Sequence, residues 1–468
     1  MKKTYLIRIG SNSEKKYIEK LSELFSGIIV RANYFESSKG MLSAFFLKLM
    51  KKNRLFIVDP ITYAFSIDPD ADASIRSWQK VKMSKADEKL RIGLNLGDNG
   101  EIKMSWKRDI KNPTEGQKGK IEVYGIIKAY RRLADIYFPK HIADVVGIDA
   151  LSYSHFTGSD IKTFVNNVYT YQKSLIATMY KGDKYDGFDV PAQKVMICPY
   201  FSIVNNAWLD FMINIWSEFN EIATIDDGVV VQLTAESLRL FGDKIIEKLS
   251  GLKSGKVFLW IENFKEDLAS SADLITYSNF VVKLEAAGKS VINAYAGGFS
   301  MFLLGFGLTG VINGPGYGMD KNKEPVKGGL PTAKYYIPKL HTREMITDAY
   351  DLFNRKKIGL TKQDYLNNIC SCPICRDIIT NGIADLYTQF GELGSAILCE
   401  DGISRQYPTS KALEKCAYHF LLSKYIYEFK WIQSRDKEQI LEKLNEEISV
   451  WGGDVAHLNV WKDVLKKL

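Results

Sequence analysis

The chain lacks any long apolar run. None of its 468 residues fall in a stretch of the roughly 18 uninterrupted apolar residues that a membrane span needs. The richest segment, Phe299 to Ile312, is too short and carries several small residues, so it reads as core. The N-terminus starts basic and has neither the apolar run nor the small-residue cleavage site of a signal peptide, which predicts a cytoplasmic protein. Internal repeats and low-complexity tracts are absent. The glycine-rich corners at Gly297-Gly298 and Gly314-Pro315-Gly316-Tyr317-Gly318 match neither a P-loop nor a dinucleotide fingerprint. Cysteine is sparse, at six residues, and half of it is packed into one short cluster. That usage fits metal ligation in a reducing compartment better than a disulfide framework.

What remains is ordinary for a globular protein: 46% hydrophobic and 25% charged residues, with a generous 12% aromatics. Lysine and arginine exceed acidic residues to give a formal net charge of +8, a mild bias on a chain of this size. It fits either a solubilising lysine surface or a phosphate-binding face.

Short apolar runs recur between helical stretches. Leu55–Val58, Ala143–Ile148, Lys194–Cys198, Val229–Leu233, Lys256–Ile261, Ser290–Tyr295 and Gly310–Asn313 do not alternate with polar residues, as expected of parallel strands covered on both faces. Amphipathic helices are predicted over Ser159–Tyr180, Ala207–Ile222, Ala235–Leu252 and Asp267–Ala287. The alternation predicts an α/β fold, and seven or eight such units favour a TIM-like (β/α)8 barrel over an open sheet. The barrel is expected to occupy residues 1–338, with an N-terminal extension. A hairpin insertion near 90–120 turns at Gly97-Asp98-Asn99-Gly100, followed by a polar Gly/Lys loop at 111–120. Residues 339–468 read as a helical zinc-binding subdomain, with helices over Arg343–Arg355, Ala412–Trp431 and Lys437–Trp451.

The chemistry-bearing motif is Cys370-Ser371-Cys372-Pro373-Ile374-Cys375, followed by His419 in a helical stretch. Three thiols this close can close on one soft cation, and a later histidine favours Zn²⁺ in a closed structural Cys₃His site over an iron–sulfur centre. Cys399 and Cys416 rival His419 as the fourth ligand.

Cys-Ser-Cys-Pro-Ile-Cys followed by Ala417-Tyr418-His419-Phe420-Leu421-Leu422 resembles the zinc-site signature of the tRNA-guanine transglycosylase family. The resemblance implies a (β/α)8 barrel with a zinc subdomain near the C-terminus. It implies exchange of a guanine in tRNA or DNA for a 7-deazaguanine such as preQ0, through a covalent bond between an enzyme aspartate and the ribose. It also implies a nucleic-acid partner and a homo-oligomer or heteromeric partner. Phe56-Ile57-Val58-Asp59-Pro60 is similar to the family's first strand end, which places Asp59 as acid/base. Val145-Val146-Gly147-Ile148-Asp149 is similar to the strand end that reads the guanine edge, which places Asp149 there. The family's nucleophilic aspartate has no counterpart. The corresponding stretch is Gly310-Val311-Ile312-Asn313-Gly314-Pro315-Gly316-Tyr317, and the nearest acid is Asp320. An inactive, nucleic-acid-binding subunit is therefore the alternative reading.

Barrel active sites are built at the C-terminal ends of strands, and paired carboxylates suit attack and proton transfer near neutral pH. Glu262, directly after Phe-Leu-Trp-Ile, is the stand-in nucleophile. Gly297-Gly298 forms a strand-to-helix turn whose N–H groups could face an anion, and Tyr63, Tyr153, Phe156 and Tyr317 could sandwich a base.

Overall fold

The computed structural model describes residues 3–10, 14–37, 45, 49, 54–67, 129–146, 150–179, 195–315, 319–323, 332–398 and 403–468. The hairpin expected near 90–120, the Gly/Lys loop, Asp149, Tyr317 and Cys399 lie outside them. No described helix is long and apolar enough to cross a membrane.

Eight strands form one sheet: β1 (Thr4–Ile9), β2 (Gly27–Arg31), β3 (Leu55–Asp59), β4 (Ser202–Ile203), β5 (Gly228–Leu233), β6 (Lys256–Ile261), β7 (Ser290–Asn293) and β8 (Gly310–Asn313). The order is β3-β2-β1-β8-β7-β6-β5-β4, and every pairing is parallel. Consecutive strands are neighbours and β8 pairs with β1, so the order is that of a ring cut between β3 and β4. The expected closed barrel is therefore corrected to a curled eight-stranded sheet: among the described residues no ladder joins β3 to β4. The local cause is visible. The chain leaves β3 through Ile61, at φ 50°, into a 3₁₀ turn over Thr62–Ser66, and β4 is only two residues long. Side chains span the gap: the Tyr200 hydroxyl donates to Asp59 (2.8 Å), and Thr62 reaches the Tyr200 backbone. The buried Thr62 hydroxyl donates to the Tyr200 carbonyl (2.7 Å) and accepts the Tyr200 N–H (2.7 Å).

Parallel strands covered on both faces read as solid apolar runs, and β5 is buried at all six positions. Alternate side chains point to opposite faces. Ile29, Ile57, Val230, Phe258 and Ile312, one from each of five strands, converge on the inner space. Helices cover the outer face: α1 (Lys15–Leu21), α2 (Lys140–Val145), α3 (Gly158–Met179), α4 (Asn206–Ile222), α5 (Ala235–Ser250), α6 (Ser271–Ala286) and the short α7 (Gly298–Leu303). Strand-to-helix loops end on capping residues. Asn205 accepts from the Trp208 N–H, Thr234 from Ser237 and Ser270 from Asp273, each worth about 1 kcal/mol.

One expectation fails here. Ala143–Val145 is not strand: Lys140–Val145 is α2, begun at Pro139, with Ile142 and Ala143 on its buried side. The N-terminal residues supply β1 and β2, which stand between β3 and β8 in the sheet. The run at Lys194–Cys198 contributes only an isolated bridge, Ile197 to Gly228.

Beyond the sheet lie an antiparallel hairpin, β9 (Lys334–Ile337) with β10 (Thr342–Met345), and the helices α8 (Ile346–Lys356), α9 (Lys362–Asn368), α10 (Pro373–Ile378), α11 (Ser410–Ser423), α12 (Lys437–Trp451) and α13 (Ala456–Leu465). Residues 424–429 continue α11 as a π-helical turn. Trp461 on α13 anchors this part to the sheet. It packs against Phe299 and Phe302 and donates its indole N–H to the Glu266 carbonyl (2.9 Å).

Candidate functional site

Local sequence builds a thiol cluster. Cys372 precedes α10 and Pro373 occupies its first turn, a position that suits proline because its missing N–H needs no partner there. The turn brings Cys375 back beside Cys370 and Cys372, and the Cys372 N–H donates to the Cys370 sulfur (3.4 Å). His419, on the buried face of α11, completes the group. Ligand atoms of Cys370, Cys372, Cys375 and His419 all lie within 4.8 Å of one another, and all four residues are buried. His419 Nδ1 is 3.4 Å from the sulfurs of Cys372 and Cys375 and 3.8 Å from that of Cys370. Its Nε2–H is committed to the Tyr336 carbonyl at 2.7 Å, so the Nδ1 lone pair faces the thiols. The rival Cys416 turns away and bonds the Phe390 carbonyl (3.4 Å).

Around the cluster, the Tyr335 ring stacks on His419 (centroids 4.2 Å apart), and the hydroxyls of Tyr335 and Tyr365 each lie 3.8 Å from Cys375 Sγ. Such outer partners fix ligand orientation. Three soft donors and one imidazole, preorganised and dry, can hold a metal ion.

From the cluster, β9 leads to a second buried group. Tyr336 donates its hydroxyl to Glu428. Glu428 also faces His341 Nδ1 (2.9 Å) and Lys424 (3.1 Å), while His341 Nε2 meets Glu447 (3.0 Å), which pairs with Lys443. Burial opposes a charge on His341, but Glu447 and Glu428 outweigh it and raise its pKa above the usual value. Burial likewise opposes charge on Glu428, yet Lys424 and His341 hold its carboxyl low. Lys424 donates onward to the Gly297 carbonyl (2.9 Å).

The Gly297-Gly298 turn, whose N–H groups could face an anion, receives a carboxylate of the chain itself. The Glu266 carboxylate accepts from the N–H groups of Gly297 (2.9 Å) and Ser300 (2.8 Å) and from the Ser300 hydroxyl (2.5 Å). Burial nevertheless pushes its pKa up. Both glycines are dictated by closeness: a Cβ at Gly297 would lie 2.5 Å from Glu266 Oε2, and one at Gly298 2.5 Å from His341 Cβ. A contiguous polar and packed path thus joins the thiol cluster to the loops at the C-terminal ends of β6 and β7. A cleft of about 190 Å³ lies there, lined by Lys265, Glu266, Gly297, His341 and Arg343.

The mouth of the curled sheet holds the predicted carboxylates. Asp59, at the end of β3, is buried and pairs with Arg8 from β1 (2.8 Å). It also accepts from the Tyr200 hydroxyl (2.8 Å) and the Ile61 N–H (2.9 Å). Burial, then the Asp59 charge, push the Tyr200 phenol well above its usual range. Glu262, after β6, accepts from Ser202 (2.5 Å) and Gln232 (2.8 Å). It stands two residues beyond Trp260, on the same face of the strand. Arg8, Asp59, Tyr200 and Trp260 line an inner cavity of about 40 Å³. Among the described residues Asp59 and Glu262 share the mouth without touching. Asn313, at the end of β8, is buried and donates to the Ala296 carbonyl (2.8 Å).

The sequence reading missed Arg8, Tyr200, Gln232, Tyr295 and Lys321. Arg8 sits inside a strand-like run, Tyr5 to Ile9, and a charged residue in a buried strand was the available signal. The three described aromatic residues that could sandwich a base do not come together. Tyr63 is at the mouth, whereas Tyr153 and Phe156 pack against Trp208 and Phe211 on the outer layer. Compared with protein-family models, with curated proteins and with solved structures, the chain matches none.

Proposed function

We propose that the chain is a nucleic-acid guanine transglycosylase-like enzyme, with a structural zinc ion in the Cys₃His cluster and its exchange chemistry at the sheet mouth. The observation that carries this reading is the pairing of a Cys-x-Cys-x-x-Cys/His cluster with eight parallel strands in ring order, whose C-terminal ends present Asp59 and Glu262. Zinc suits the donor set. Zn–S near 2.3 Å and Zn–N near 2.0 Å in a tetrahedron require S···N edges of about 3.6 Å, and the three here are 3.4, 3.4 and 3.8 Å. Four protein donors leave no open position, so the ion would supply folding free energy and no chemistry.

On this reading a guanine leaves the nucleic-acid stack, at a cost of a few kcal/mol. A carboxylate attacks the ribose anomeric carbon as the guanine departs, and Asp59 moves protons on the leaving and arriving bases. Glu262 stands in for the attacking carboxylate. A cavity of about 40 Å³ takes about one or two water molecules, so a base requires the mouth to open. Incubation of the full chain with labelled guanine or preQ0 and either tRNA or DNA tests the proposal. Incorporation that Asp59→Asn abolishes supports it, and full turnover in that variant rejects the acid/base role. A second reading has its own support. Asn313 cannot act as a carboxylate nucleophile, and Asp59 is neutralised by Arg8, as in a nucleic-acid-binding subunit without turnover. Salt-sensitive binding without exchange, and without covalent trapping, would select it.

A further inference from the structure

The two faces of β10 look into different clefts. Arg343 lines the one already described. Thr342 and Glu344, two residues apart and so on one face of the strand, line a second groove of about 510 Å³. Opposite them α8 presents Asp348, Asp351, Leu352 and Arg355, at the i, i+3, i+4 and i+7 positions of one helical face. Asp454 and His457, at the start of α13, complete the lining with Asp267 and Leu268 from the loop after β6.

We propose that this groove binds a linear oligoamine, a methylene chain carrying two or more ammonium groups. Charge is the first support. Five carboxylates line the groove, those of Asp267, Glu344, Asp348, Asp351 and Asp454. The cations beside them, Arg355 and Lys356, are both spent on Asp454, each at 2.8 Å. The carboxylates of Asp267, Glu344 and Asp351 have no hydrogen bond or ion pair among the described residues, and Asp348 accepts only from the Thr347 hydroxyl (3.3 Å). His457 adds no charge near neutral pH: its Nε2–H donates to the Leu340 carbonyl (2.8 Å), and burial pushes its pKa down.

A buried hydroxyl is the second support, independent of the acids. Thr342 is 6% exposed, and its Oγ1 has no hydrogen-bond partner among the described residues. Buried polar atoms are nearly always paired. On the groove face of β10 this oxygen offers an acceptor to an N–H donor.

The spacing decides the class of cation. Among the described residues only the thiol cluster brings three or more ligand atoms within 4.8 Å of one another. No three carboxylates here close on a single metal ion, so their charge suits several linked cations. Leu340 and Leu352, 3 and 9% exposed, and the exposed Leu268 lie among the acids and suit the methylenes between ammonium groups. A concavity of this size fits a small molecule better than a segment of another protein. The groove needs no base exchange, so its test stands apart from that of the proposed reaction.

The experiment is calorimetric titration of the full chain with spermidine and, separately, with Mg²⁺ at matched ionic strength. The wild type is expected to bind one spermidine, roughly ten-fold more tightly than Mg²⁺. Glu344→Gln combined with Asp351→Asn removes two unpaired charges and should weaken spermidine roughly ten-fold. Thr342→Val should weaken it as well without lowering the melting temperature of the free chain, because the lost hydroxyl has no partner there. Glu438→Gln combined with Glu446→Gln, which takes the same charge from the exposed face of α12, should leave the affinity unchanged. Magnesium binding as tightly as spermidine, or equal weakening by the two double variants, marks a diffuse counterion effect and overturns the proposal. If the groove variants do not fold, the wild type decides. Saturating spermidine should slow amide hydrogen exchange over 342–352, and unchanged exchange there overturns the proposal.

Discussion

Replacing Thr62 by valine tests how the sheet is held at its open edge. Valine keeps the shape of threonine and removes only the hydroxyl, so no cavity confounds the result. In the native chain that hydroxyl satisfies both the N–H and the carbonyl of Tyr200, each at 2.7 Å, with Thr62 fully buried. The variant leaves two buried backbone groups unpaired, at about 1–3 kcal/mol each. Partial re-pairing on relaxation reduces the sum, giving an expected loss of about 2–4 kcal/mol. The loss should be local. A peptide covering residues 198–203 should exchange its amide hydrogens roughly 30- to 700-fold faster, by the tenfold-per-1.4 kcal/mol relation, while β6 and β7 keep their protection. Thr62→Ser, which keeps the hydroxyl, should stay near wild type. Protection at 198–203 unchanged in Thr62→Val, or lost equally in Thr62→Ser, would refute the claim that this hydroxyl spans the edge.

Other consequences are equally direct. Gly298→Ala forces a Cβ to 2.5 Å from His341 Cβ and 2.7 Å from Trp461, so it should cost about 1–3 kcal/mol or more, read as a lowered urea midpoint. His341 has a raised pKa in the fold, so its charge stabilises fully below the unfolded value near 6.5, and that stability drains away as pH rises through the folded value. Wild type should therefore lose stability more steeply above about pH 6.5 than His341→Gln does, in parallel denaturant titrations; identical slopes would contradict the charged network. Trp461→Ala should destabilise by about 3–5 kcal/mol and detach α13 from the sheet, visible as selective loss of protection over 456–465.

Some of this was legible because it is local. The strand at Val229–Leu233 announces itself as a solid apolar run, and Lys437–Trp451 has the bounds its periodicity indicates. The three thiols are legible because six residues suffice to bring them together. Short apolar runs are ambiguous, since period alone does not separate a buried strand from one helical turn; Ala143–Val145 failed for that reason, with Pro139 favouring helix start. The choice of His419 over Cys416 was settled by which face of α11 meets Phe390, a tertiary fact. The aromatic cluster at the mouth was not legible, because Tyr63, in the turn after β3, meets Trp260 of β6 only through the tertiary fold. The carboxylate that meets the Gly297-Gly298 turn was not legible, because its source, Glu266, lies 31 residues away in sequence.

The measurement that bears most directly on the account is the metal content of the natively purified, unchelated chain, set beside its melting temperature. The cluster geometry predicts one zinc per chain. It also predicts that Cys372→Ser lowers both metal content and melting temperature, and lowers the latter more than Asp59→Asn does, because a structural ion contributes folding free energy directly. A chain that is folded and free of zinc, or a Cys372→Ser variant that melts with the wild type, would contradict it.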